Sequence, residues 1–220
     1  MKKLAILAVL ILCAVGADAR SHRRSSKYNA AGAPGAFDYY VLSLSWAPDF
    51  CDQSGQMNNR ECGTGNHVGF IVHGLWPQFN NGGFPKQCAP ASPVASDIVN
   101  RMLPIMMDAG LIQHEWRDHG TCSGLSPSAY FDSIRQVFGT VRVPDTYKTL
   151  SKEIQVNPPD VEAAFRAANP GVPATAYRVA CSGGELNEVR ICYGKDLKPQ
   201  ACSVNQKECT SGPLRMLPLR

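Results

Sequence analysis

The chain holds five histidines, and three of them fall in two short, dense segments. The first segment is Phe70-Ile71-Val72-His73-Gly74-Leu75-Trp76-Pro77. The second is His114-Glu115-Trp116-Arg117-Asp118-His119-Gly120-Thr121-Cys122. An imidazole with an ordinary pKa near 6.5 gains and loses protons at neutral pH, so two such segments point to acid–base chemistry. A zinc-protease reading of the second segment fails on geometry. That motif needs two histidines four residues apart on one helix face, whereas His114 and His119 are five apart, about 140° from alignment at 3.6 residues per turn. The pairs that do align are Glu115 with His119 and His114 with Asp118. Each sets a carboxylate beside an imidazole, which is how a general acid or base is held in place. Taken alone, His73 at a strand end reads as structural and Glu115 as an ordinary helix acid. Their joint occurrence argues for a site. His67 stays unassigned, and Trp116 reads as a core residue because helical aromatics mostly pack.

The elements around these segments follow from periodicity. Phe37–Trp46 alternates and is rich in β formers, which predicts a strand. Val68–His73 predicts a second strand, ended by Gly74 and Pro77, before a loop over 78–87. Ser92-Pro93 reads as a helix start, with Val94, Ile98 and Met102 at helical spacing, a break at Pro104 and a stop at Gly110. Leu111–His119 reads as a short helix stopped by Gly120. Ser126-Pro127 opens a helix through Phe138, and Asn157-Pro158 opens another through Ala168. Two strands flank Gly183-Gly184 between Thr175 and Tyr193, a hairpin signal. Helices in the middle and strands at both ends predict an α+β fold, a largely antiparallel central sheet with several helices packed around it.

The N-terminus reads as a targeting segment. Lys2 and Lys3 precede the apolar run Leu4–Val15, and Ala17-Asp18-Ala19 suits cleavage, so residues 1–19 read as a signal peptide. The run is shorter than the roughly 20 residues a membrane span needs, and no second long apolar segment follows. Residues 20–36, rich in Arg, Ser, Ala and Gly, read as a flexible arm, leaving 37–220 as a single domain. Export to a periplasm or the exterior is therefore expected. Of nine cysteines, Cys13 leaves with the leader, since bulky Leu12 argues against lipid attachment there. The even remainder suggests four disulfides in an oxidising compartment, with 105 possible pairings. No close C-x-x-C pair suggests zinc. The charge balance of 22 Lys+Arg against 18 Asp+Glu tolerates a polyanion without pointing to one.

The two histidine segments resemble the two active-site segments of the ribonuclease T2 family. Leu42-Ser43-Leu44-Ser45-Trp46-Ala47-Pro48 followed by Cys51 resembles the family's first strand. Asn81-Gly82-Gly83-Phe84-Pro85 with Cys88 resembles the loop after its first motif. The resemblance runs from about Phe37 to Cys209. It implies cleavage of single-stranded RNA by transesterification through a 2′,3′-cyclic phosphate to 3′-phosphate ends, with no metal or cofactor. His119 would be the general base and His73 the general acid. Glu115 would steady His119 and the phosphorane, and His114 would donate to the phosphate. Trp76, Gln78 and Phe84 match positions that hold a base, and the amide of Gln78, where some members carry an acid, implies broad base preference. The implied disulfides are Cys51–Cys62, Cys88–Cys122, Cys181–Cys209 and Cys192–Cys202. The expected protein is an exported monomer.

Two positions depart from the family. Asp118 stands where many members place Lys, which suggests an acid close to the phosphate and a rate that Asp118→Lys would raise. The competing reading has Asp118 keep His114 charged. Ser45 replaces a frequent Gln, which puts a second base site in doubt. The rival functions are a non-catalytic binder of RNA or protein, and a toxin-like or structural secreted protein. Turnover of single-stranded RNA in EDTA separates all three.

Overall fold

The computed structural model describes residues 32–55, 60–209 and 212–220. The leader 1–19, with Cys13, and arm residues 20–31 lie outside them. Among the described residues six strands form one sheet: β1 (Tyr39–Trp46), β2 (Phe70–Gln78), β3 (Ile154–Val156), β4 (Tyr177–Ser182), β5 (Glu185–Tyr193) and β6 (Leu214–Met216). The order is β2-β1-β5-β6-β3, with β4 also paired to β5. All pairings are antiparallel except a single parallel bridge, Glu185 with Arg215, between β5 and β6. Six α-helices among the described residues accompany the sheet: α1 (Ala47–Ser54), α2 (Ser96–Met106), α3 (Ala109–Asp118), α4 (Pro127–Thr140), α5 (Asp145–Lys148) and α6 (Pro158–Ala168). The fold is α+β, and among the described residues no helix is long and apolar enough to cross a membrane.

All eight residues of β1 are buried, because the two faces of the strand meet different material. Leu42 and Leu44 enter the main core with Val72 and Leu75 of β2, Met102 and Met106 of α2, Ile134 of α4 and Phe165 of α6. Burying each such side chain contributes about 1.5–3 kcal/mol, so this cluster drives the fold. On the other face, Tyr39 and Val41 form a small cluster with Cys192, Cys202 and Trp76. Ser43 and Ser45 continue that face as buried polar residues. Cross-strand partners share a face, and Ser43 and Ser45 pair with Arg190 and Glu188 of β5. One face of the central strand therefore becomes polar towards one end.

Several boundaries differ from the sequence expectations. Strand β2 runs through Gly74 and Pro77 to Gln78. It is an edge strand, where a proline without an N–H is tolerated, and the buried Tyr130 hydroxyl donates to the Leu75 carbonyl at 3.0 Å. Helix α2 begins at Ser96, not Ser92, because Gln113 of α3 pairs with both backbone groups of Val94 at 2.8 and 3.1 Å and holds it out of the helix. Pro104 does not break α2, which ends two residues later where Met107 takes φ 62°. Gly110 does not close it either: Asp108 accepts from the Leu111 amide at 2.6 Å and caps α3, so Gly110 sits in the first turn of the next helix. Helix α1 follows β1 directly, with Pro48 in its first turn. Helices α4 and α6 open at Ser126 and Asn157, and Gly183 and Gly184, at φ 59° and 81°, turn the β4–β5 hairpin.

Four disulfides, Cys51–Cys62, Cys88–Cys122, Cys181–Cys209 and Cys192–Cys202, join the residues that the resemblance pairs.

Candidate active site

His73 sits at a bulge. Leu44 of β1 pairs with Val72 and Ser43 pairs with Gly74, so His73 is the extra residue between them. A bulge re-aims one side chain without shifting the rest of the strand off its hydrophobic register. The ring is turned to the polar face, where Nδ1 lies 2.7 Å from Glu188 Oε1 and 3.3 Å from the Ser45 hydroxyl. Glu188 in turn accepts from Arg190 at 2.8 and 2.6 Å. With Nδ1 committed, Nε2 faces the cleft, 3.7 Å from Glu115 Oε1. Burial opposes charge on His73, but the hydrogen bond and charge of Glu188, together with Glu115, outweigh it and raise the pKa. Burial likewise opposes charge on Glu188, yet His73 and Arg190 hold its carboxyl down to about 2.

Helix α3 supplies the second half. Glu115 is fully buried, and the Trp76 indole donates to its Oε2 at 2.7 Å. Burial pushes this carboxyl up to about 7 despite His73 and Trp76. Its position explains the glycine in the first segment. A Cβ on Gly74 would overlap Glu115 Oε2, so any other residue there would force the carboxylate away from the strand. The expected contact of Glu115 with His119 is replaced by these contacts with His73 and Trp76. The order of rings in the site accounts for it: Trp76 stands between the imidazoles, 5.1 Å from His73 and 5.5 Å from His119 by centroids.

His119 caps α3, outside the regular helix, with φ −121°, and leads into a 3-10 turn over Gly120–Cys122. Its ring packs 5.5 Å from Phe84, and its buried Nδ1 has no hydrogen-bond partner among the described residues. Burial, with positive charge from His114, His73 and Lys86, outweighs Asp118 and lowers its pKa to about 3. His114 is half-exposed. Arg117 approaches its Nδ1 at 2.8 Å and Asp118 lies 3.6 Å from its Nε2. Burial, then Arg117 and Lys86, lower its pKa although Asp118 raises it.

Asp118 is 1% exposed and does not present a bare carboxylate to the cleft. It accepts from Arg117 at 2.8 Å and Gln87 at 3.1 Å, and pairs with Lys86 at 3.0 Å. These partners overcome burial and hold its carboxyl at about 2. The loop that carries Lys86 is fastened to the end of α3 by Gln87 N–H to the Asp118 carbonyl at 3.0 Å, by Cys88 N–H to Thr121 at 3.2 Å, and by Cys88–Cys122.

Trp76, Gln78 and Phe84 line one open cavity with Tyr39, Arg190 and Gln206. The Arg190 guanidinium lies 5.4 Å from the Trp76 ring centre, and the Gln78 amide donates to the Pro77 carbonyl at 3.1 Å. Trp116 is in the core beside Tyr130, at 6.0 Å between rings. His67 stands apart, at φ 51°, on a different depression with Tyr147 and Leu219. Among the described residues, no three His, Cys, Asp or Glu side chains gather where they could hold a metal ion. Sequence reasoning missed Glu188, Arg190 and Lys86. For the first two a signal existed: two charges two apart in an apolar strand fall on one face and require buried partners.

An α+β fold whose sheet and helix C-terminus bring two histidines to one cleft defines the class, and comparison places the chain within it. Residues 37–202 match the model of the ribonuclease T2 family, and the chain belongs to that family. It is 30% identical over 180 residues to a probable ribonuclease of Haemophilus influenzae, covering 75% of this chain and 61% of that protein. It is 38% identical over 104 residues to a ribonuclease of Aeromonas hydrophila, covering 46% of this chain and 45% of that protein. The match thus spans roughly half to three-fifths of these two relatives. Ribonuclease DdI of Dictyostelium discoideum is 26% identical and matches over 92% of this chain and 96% of its own length. In solved structures the fold resembles the RNase-related protein from Calystegia sepium, with a TM-score of 0.64 at 21% identity, covering 83% of this chain and 98% of that one. It also resembles RNase NT in complex with 5′-AMP, with a TM-score of 0.63 at 20% identity, covering 84% and 99%.

Proposed function

We propose that the protein is an exported endoribonuclease that cleaves single-stranded RNA without a metal, His119 acting as general base and His73 as general acid. The observation that carries this reading is the opposite electrostatic setting of the two imidazoles in one cleft. Acid–base cleavage needs one ring neutral and the other charged in the same molecule. Burial among cationic neighbours keeps His119 neutral, and the Glu188 carboxylate favours the charged form of His73 against burial.

The substrate's own 2′-hydroxyl is the nucleophile. His119 takes its proton as the oxygen attacks the adjacent phosphorus. His73 gives its Nε2 proton to the departing 5′-oxygen, leaving a 2′,3′-cyclic phosphate. Water then opens the ring to a 3′-phosphate with the two roles reversed. Glu188 fixes the acid's ring by holding Nδ1, so the Nε2 proton points into the cleft. Glu115, with its carboxyl near 7, donates a hydrogen bond to a phosphate oxygen when protonated. His114 donates from Nε2. One base lies in the cavity of Trp76, Gln78 and Phe84. Stacking there is tolerant of sequence and contributes about 1–3 kcal/mol per base. An amide at Gln78 both donates and accepts, so base preference is broad. The four disulfides support an oxidising destination, periplasm or exterior.

The test is turnover by the purified protein in excess EDTA. Single-stranded RNA should be degraded and DNA of the same sequence left intact, since DNA lacks the nucleophile. Loss of all activity on chelation, or cleavage of DNA, removes this mechanism.

A further inference from the structure

The proposed cleavage, on which this inference rests, builds negative charge on the phosphate oxygens. His73 and His119 move protons. His114 receives a hydrogen bond from Arg117 at Nδ1, which places its single ring proton on Nε2 and makes it a neutral donor. Arg117 spends its Nε on Asp118 and its Nη2 on His114. The loop after the first motif supplies a further cation for the phosphorane.

The Lys86 ammonium lies 3.0 Å from Asp118 Oδ2, the same oxygen that stands 3.6 Å from His114 Nε2. Ammonium and imidazole are thus set side by side across one carboxylate oxygen, and the Lys86 charge is felt at the rings of both His114 and His119. An ammonium has three donors, and Asp118 engages one of them. The side chain is 42% exposed, so solvent and a bound polyanion can reach it. Placement is not left to a flexible loop: backbone hydrogen bonds from residues 87 and 88 and the Cys88–Cys122 bridge fix Lys86 against the end of α3. We propose that Lys86 is a catalytic residue that supplies the fixed positive charge for the phosphorane, and that Asp118 is a positioning residue that holds it there. Asp118, adjacent to the base in sequence, then serves the reaction by recruiting a cation across space. It neither faces the phosphate nor charges His114, and Asp118→Lys lowers the rate by expelling Lys86.

Steady-state kinetics on a defined oligoribonucleotide test this, with the fold of each variant checked by circular dichroism and melting. Lys86→Met should lower kcat about a hundredfold, the size of effect seen when one preorganised charge-stabilising group is lost, with KM changed less than about threefold. Lys86→Arg should recover most of that loss. The double variant Lys86→Met/Asp118→Asn should remain slow, because no uncovered carboxylate is left to explain the defect. Recovery of the wild-type rate in the double variant would show that Lys86 only neutralises Asp118, and would overturn the proposal. So would a normal kcat with a raised KM, which would place the ammonium on a flanking phosphate. An inactive wild-type protein would instead refute the ribonuclease reading itself.

Discussion

The two halves of the cleft are built from opposite charges. On the sheet side, His73 is surrounded by carboxylates: Glu188 at 2.7 Å across β1 and Glu115 at 3.7 Å from α3. On the helix side, the buried Nδ1 of His119 has no hydrogen-bond partner among the described residues, and the adjacent Asp118 is covered by Lys86 and Arg117. The same side chain is thereby given two proton affinities. Burial acts against charge on both rings, so burial does not separate them. Their partners do, and two of those partners, Glu188 of β5 and Lys86 of the 84–88 loop, lie outside both histidine segments.

The largest expected effect comes from removing either ring. His73→Ala and His119→Ala should each cut turnover at least about a hundredfold, the usual contribution of a general acid or base. A variant with near-normal turnover would mean that its ring does not carry a proton in the reaction. Gly74→Ala should be nearly as damaging, since its methyl group would occupy the place of the Glu115 carboxylate. Activity within a few-fold of wild type would show that this close approach is dispensable.

The contrast itself is sharpened by Glu188→Gln. His73 faces Glu188 and Arg190 from β5 and Glu115 from α3; His119 faces Asp118 and His114 from α3, His73 from β2 and Lys86 from its loop. The pH–rate profile of the wild type should be broad. It should fall on the acid side only as His119 is protonated, towards about pH 3, and on the basic side above 6.5 as His73 deprotonates. Glu188 raises the pKa of His73, so its removal should bring the basic limb to lower pH and leave the acid limb in place. At pH 7 to 8 the variant should therefore turn over more slowly than the wild type, and the gap should close as the pH is lowered. An unmoved basic limb would break the assignment of Glu188.

A smaller effect on rate, but a clear one on stability, is expected from Cys88→Ser/Cys122→Ser. The bridge closes a separation of 34 residues and should contribute about 3–4 kcal/mol by the chain-entropy estimate, read as a fall in the denaturation midpoint. The smallest effect should come from Trp76→Phe, which keeps the aromatic ring and loses the hydrogen bond to Glu115. That bond lowers the Glu115 pKa, so the carboxyl should titrate higher by NMR while the rate falls only a few-fold.

The fold was legible wherever its signals are local. The alternation over Phe37–Trp46, the Ser126-Pro127 and Asn157-Pro158 helix starts and the Gly183-Gly184 turn each depend on neighbours in sequence. The misread boundaries depend on distant partners. Gln113 decides where α2 begins, and pairing with β1 carries β2 through Pro77. Strands β3 and β6 are three residues each, too short for a period to show. The same division runs through the site. Both histidine segments announce themselves, because a bulge and a helix end need particular residues close by. Glu188 and Lys86 do not, because they act by register and by loop placement. Asp118 was visible as a departure, but its meaning depends on Lys86, thirty-two positions away.

The central claim is that RNA's 2′-hydroxyl is the nucleophile and that the two imidazoles serve it. The most direct measurement is cleavage, in EDTA, of an end-labelled oligoribonucleotide and of the same oligomer with one 2′-deoxy residue at a mapped cleavage position. The account predicts 2′,3′-cyclic phosphate ends that mature to 3′-phosphates, and no cleavage after the deoxy residue. Cleavage there, or products that carry 5′-phosphates, would contradict it.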